Sequence, residues 1–102
     1  MRADEILASW RDYYPKEALL SDVLLVAESK FESVTHKRRG GYCKIFDSRL
    51  KRLGEIAPDF LPDCMCGNYS IPTRKGRKVK GHYVRRIVEL IDLVDEMSQR
   101  GY

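Results

Sequence analysis

Tyr83, Ile87, Leu90, Val94 and Met97 recur at alternating intervals of four and three residues, with no glycine or proline between them. Side chains four and three apart share one face of an α-helix, so the spacing predicts a helix over residues 83–99 whose apolar stripe must be covered. Val84, Val88 and Ile91 widen the stripe beyond a narrow coiled-coil seam. Two covers are open: the body of the same chain, or a second copy in a homodimer whose interface is Tyr83, Ile87, Leu90, Val94 and Met97.

The other elements follow from the same kind of spacing. Ile6, Leu7, Trp10 and Tyr14 lie at helical intervals behind Asp4 and Glu5, acids that suit a helix N-terminus. Pro15 fits the first position of a second helix carrying Leu19, Leu20, Val23, Leu24, Ala27 and Phe31. Gly40-Gly41 interrupts any long helix, and Phe46, Leu50 and Leu53 predict another helix near residues 43–54, ended by Gly54. Tyr69 and Ile71, then Val79, Gly81 and Tyr83, alternate about the turn-forming Arg74-Lys75-Gly76-Arg77, which predicts a β-hairpin over residues 68–84. With 102 residues, 43% of them apolar, the chain is expected to fold as one domain of α+β class, mainly helical.

Charge is distributed in blocks. The net charge of +4 is ordinary, but Arg74, Lys75, Arg77, Lys78 and Lys80 fall within seven residues, and no acid occurs from Ser70 through Arg86. Arg85 and Arg86 extend that block. Lys37, Arg38, Arg39 and Lys44 form a second acid-free stretch, continued by Arg49, Lys51 and Arg52. Cations crowded in this way repel one another, and a polyanion relieves the repulsion while releasing its condensed counterions. A basic hairpin tip also discourages edge-to-edge sheet pairing, which is the competing explanation of the first block.

The order helix, helix, glycine-containing turn, helix, basic hairpin, helix resembles the winged helix-turn-helix architecture over roughly residues 16–84. In that resemblance residues 1–31 are N-terminal helices and residues 32–54 the helix-turn-helix segment, with Phe31 to Arg39 as positioning helix and Cys43 to Leu53 as recognition helix. Residues 68–84 are the wing and residues 83–99 the C-terminal helix. The resemblance implies a protein of duplex DNA, with Lys44, Asp47, Ser48, Arg49, Lys51 and Arg52 facing the major groove and the hairpin cations on backbone or minor groove. The runner-up reading is an interaction protein, a small inhibitor or adaptor whose basic face binds an acidic partner, and RNA binding through shape and phosphate contacts is a third.

Other chemistries find little support in the residues. Cys43, Cys64, Cys66, His36 and His82 are ligand types that zinc selects, but Cys64-Met65-Cys66 leaves a one-residue gap where structural sites use two to four, so no metal or other cofactor is expected. Asp59, Asp63 and Glu28-Ser29-Lys30 do not follow the usual order of a metal-dependent nuclease, and neither a phosphate-binding loop nor a nucleophile elbow is present; no catalytic residue is expected. The longest apolar run, Leu24-Leu25-Val26-Ala27, is far short of the roughly 20 residues that span a bilayer. Together with the acidic start Met-Arg-Ala-Asp-Glu and an odd number of cysteines, this predicts a cytoplasmic protein with reduced thiols.

Overall fold

The structure, a computed structural model, describes residues 2–37, 41–73 and 77–101. The expected site residues Arg38, Arg39, Arg74 and Lys75 lie outside the described residues. Among the described residues there are four α-helices and two antiparallel sheets, an α+β arrangement.

The first helix, α1 (Ala3–Asp12), buries Ile6, Leu7 and Trp10 and ends at Tyr13. The second helix does not begin at Pro15. Instead β1 (Glu17–Leu19) pairs with β5 (Lys78–Lys80), placing Ala18 opposite Val79, and α2 (Leu20–Lys30) starts only after it. Leu20 N donates to Arg77 O and Gly81 N to Lys16 O, both at 2.7 Å, so a partner some sixty residues away in the chain overrides the helical periodicity.

A second difference lies between α2 and the next helix. The segment read as a positioning helix is β2 (Ser33–Lys37), and the start of the expected recognition helix is β3 (Tyr42–Phe46); the two form a hairpin. Alternation explains the outcome: Val34 and His36 point inward with Ile45 and Cys43 opposite them, while Ser33, Thr35 and Lys37 stay exposed. The helix itself, α3 (Ser48–Ile56), begins after Asp47, whose carboxylate caps it by accepting from Arg49 N at 2.9 Å.

Two 3-10 turns, residues 58–60 and 65–67, lead into β4 (Asn68–Pro72), which pairs with β3 rather than with β5. The single hairpin expected over residues 68–84 is therefore replaced by two strands in different sheets. Pro72 ends β4, as its missing N–H requires of a ladder. Gly67 makes this entry possible: with φ of +83°, it sits where a Cβ would be 2.8 Å from Asp47 O.

The C-terminal helix, α4 (Gly81–Gln99), is present as expected and starts two residues earlier. Ile87, Leu90, Val94 and Met97 are all buried, the first three in one core cluster with Val23, Val26 and Ala27 of α2, Ile6, Leu7 and Trp10 of α1 and the inner face of the sheet, and Tyr83 is half-buried. The stripe proposed as a dimer interface is thus the core of a single chain. Between α1 and α2, the chain supplies two helices to cover it, which accounts for its width. No helix among the described residues is long and apolar enough to cross a membrane.

Candidate nucleic-acid interface

One face of the three-stranded sheet carries no covering helix residues in the core and presents polar side chains in rows. Thr35, Lys44 and Ser70 stand side by side across β2, β3 and β4, all exposed, followed by Lys37, Tyr42 and Pro72 one row on. Thr73 N donates to Gly41 O at 2.6 Å beyond that last row. The described residues that flank the two basic runs, Lys37 and Gly41 for one and Thr73 for the other, therefore meet at one end of the sheet, although 35 residues separate the runs.

The second cationic locus is the start of α4. Lys80 is its N-cap and supplies no side-chain cap, and no acid lies in the first turn. Lys78 and Lys80 are exposed on β5, with Lys80 opposite Glu17 of β1. The Arg85 guanidinium lies 5.5 Å from the centre of the Tyr14 ring, a cation–π distance. Lys16, Lys80 and Arg85 line a shallow groove of about 610 Å³ together with Tyr14 and Glu17. They come from three elements: the approach to β1, the end of β5 and α4.

Along α4 the charge runs against the helix dipole. Lys80, Arg85 and Arg86 gather at the end where the macrodipole is positive, whereas Glu89, Asp92, Asp95 and Glu96 occupy the half where it is negative. The dipole acts within the first and last turns, so Lys80 at the N-cap and Glu96 in the last turn bear this cost, a few tenths to about 1 kcal/mol each. Arg86 is compensated locally. Its guanidinium makes two 2.8 Å hydrogen bonds to Asp63 and a third of 3.1 Å to Glu89, fastening α4 to the loop before β4. That pairing lifts the Arg86 pKa further and, through the Arg86 hydrogen bonds, holds the Asp63 carboxyl below its ordinary range.

The cations expected on a recognition helix do not act together. Arg49 turns inward: Nε and an amino nitrogen meet the two oxygens of the buried Asp47 at 2.9 and 2.7 Å, and the guanidinium also reaches Ser98 Oγ at 2.7 Å and Lys30 O at 3.2 Å. It ties the start of α3 to the far end of α4, about 28 Å along a helix of this length from Lys80. Lys51 and Arg52 are exposed on α3, with Lys51 beside the Cys64–Cys66 turn in a further groove of about 310 Å³. Of the fourteen cations expected to bind nucleic acid, the structure brings Lys80 and Arg85 to one groove, leaves Lys78 exposed on β5 and Lys37 and Lys44 on the sheet, and uses Arg49 and Arg86 as internal struts. Arg77 is exposed immediately before β5.

Sequence reading missed Lys16, Tyr14, Thr35 and Ser70. A helix read from Pro15 begins five residues too early, so the sequence carries no visible signal that Lys16 lies against Gly81, next to Lys80. The three cysteines also separate by environment. Burial, then the nearby Glu28, pushes the Cys43 thiol up to about 11; burial, then Asp63, pushes Cys64 up to about 12; Cys66 is exposed. Among the described residues no group of three or more His, Cys, Asp or Glu side chains could hold a metal ion.

Comparison with protein-family models, with curated proteins and with solved structures finds no match to this chain.

Proposed function

We propose that this chain binds nucleic acid, with duplex DNA as its first target, by phosphate contacts from the surface around the start of α4 and from the open face of the sheet. Lys16, Lys80 and Arg85 carry the proposal. Three elements deliver them to one groove at the positive end of a helix whose acids all lie further along. Such an arrangement lowers stability in the isolated protein, and an anion seated there reverses the sign of each contribution.

The surface at the foot of the expected wing is retained in this proposal, and the recognition helix is dropped. With Arg49 committed to Asp47, α3 offers Lys51 and Arg52 as peripheral phosphate contacts rather than as readers of base edges. Contacts of this kind position a duplex without specifying its sequence. Weak sequence preference and no catalytic step are expected.

Gel shifts with duplex DNA, single-stranded DNA and structured RNA at two salt concentrations test the proposal. Retarded duplex at low salt, reversed at high salt and lost on combining Lys16→Glu with Lys80→Glu, is the expected result. A shift confined to RNA moves the target. No shift with any of the three at low salt, from folded protein, overturns the proposal and leaves an acidic protein as the partner of this face.

A further inference from the structure

Beside the phosphate groove lies a second, larger concavity of about 740 Å³ between β4 and the first turns of α4. We infer that it holds one unstacked nucleotide, its base against the His82 ring, which Tyr83 backs, and its phosphate toward Lys44. The inference rests on the nucleic-acid reading and deepens it.

The volume falls within the roughly 300–1,000 Å³ of small-ligand sites, far more than one phosphate needs. One wall is aromatic. The His82 and Tyr83 rings are 4.0 Å apart between centres and inclined by 41°, so they lie largely against each other, and the outer face of the exposed His82 ring is the one open to a base. The opposite wall is polar, with Lys44 and Ser70 from the open face of the sheet. Lys44 is exposed and has no ion-pair partner among the described residues, whereas Arg86, at the end of the groove, is neutralised by Asp63. The concavity therefore joins one uncompensated cation to one ring surface.

Asn68 adds a polar reader. Its amide nitrogen donates to Met65 O at 3.3 Å and to Cys66 O at 3.5 Å, which fixes the side chain in the lining of the groove, where its Oδ1 accepts no hydrogen bond from the described residues. An exocyclic amine or ring N–H of a base is the complementary donor. A paired base has that edge occupied and both faces stacked, so only an unpaired or extruded one fits.

The position of His82 connects the two sites. It lines both this groove and the one holding Lys16, Lys80 and Arg85, so a backbone running along those cations passes directly over the ring surface. A bulged or flipped nucleotide then drops into the concavity without the backbone leaving its phosphate contacts.

Affinities are measured by fluorescence anisotropy for a labelled fully paired duplex, for the same duplex with one bulged adenosine, and for competition by 5′-AMP. The bulged duplex is expected to bind about tenfold more tightly, the order of one base–aromatic stack. His82→Ala erases the difference between the two duplexes, and His82→Phe restores it. AMP binding that His82→Ala abolishes, without a bulge preference, assigns the groove to a free nucleotide. Equal binding of the two duplexes and no AMP binding overturn the inference while the nucleic-acid reading stands. If neither duplex binds, that reading fails, and AMP binding alone decides whether the groove survives it.

Discussion

The Arg49 guanidinium closes on the Asp47 carboxylate from two nitrogens, and the Asp47 side chain has no solvent exposure at all. Removing the arginine leaves a buried carboxylate with only backbone donors from Arg49 and Glu32. Arg49→Ala is expected to lower the free energy of unfolding by about 3 kcal/mol, the cost of breaking a buried pair from one side. Urea unfolding checks it. An unchanged midpoint would show that the pair contributes nothing to the fold.

Acid should find the same pair. Burial on its own raises the Asp47 pKa, but the side-chain and backbone hydrogen bonds of Arg49 outweigh it and the net shift is downward. A carboxyl depressed in the folded state stabilises the protein fully above its unfolded pKa of about 3.9, and that contribution is lost as pH falls through the lower folded value. Asp63, depressed by Arg86, acts with the same sign. Stability should thus fall steeply below about pH 4, and Asp63→Asn should flatten the fall. Denaturant titrations at several pH values between acid and neutral test both statements.

Salt dependence separates the contacting cations from the struts. If Lys80 and Arg85 each meet one phosphate, alanine at either position lowers the slope of log K against log salt by about 0.9. Arg86→Ala should leave the slope alone and lower the thermal midpoint, since its charge is already spent on Asp63 and Glu89. The opposite pattern exchanges the roles assigned to these neighbours.

Thiol chemistry offers a direct check of the fold. Cys66 is exposed, whereas Cys43 and Cys64 are buried with raised pKa values. Thiolate is the reactive form. Native protein at pH 8 should therefore modify one thiol per chain quickly with a disulfide reagent, and all three cysteines of the sequence only in denaturant. Two fast thiols in native protein would place the Cys64 turn incorrectly.

Leu90 tests the stripe. It is fully buried within the chain, so Leu90→Ala should cost about 3 kcal/mol and leave the sedimenting mass unchanged.

The parts of this fold that depend on local spacing were readable in advance, and the parts that depend on distant partners were not. The α4 stripe repeats over about four turns, so its helix and its burial both follow from Tyr83 to Met97; only the identity of the cover is open in the sequence. Ala18 and Val79 carry no mark of their pairing, because a three-residue strand is too short to show a period of two against the surrounding helical pattern. Likewise Val34 and His36 alternate inward, but with Arg38 and Gly40-Gly41 next to them they read as an interrupted helix. The candidate site suffered most from this. Lys80 and Arg85 stood out by charge density, while Lys16 joins them only through the β1–β5 ladder, and Arg49 differs from Lys51 only in that Asp47 precedes it by two residues.

At Gly81 an added Cβ would lie 2.1 Å from Pro15 O, and its N–H already holds Lys16 O. The backbone that carries Lys16 is consequently welded to the first residue of α4, with no side chain to act as a spacer between them. Two walls of the groove lined by Lys16, Lys80 and Arg85 therefore move as one body, and the phosphate proposed to bind there would meet them already preorganised. Little loop ordering remains to oppose association. A larger residue at position 81 would pry the walls apart and turn a rigid receptor into one that must close on its ligand, slowing capture even where every lysine and arginine is still in place.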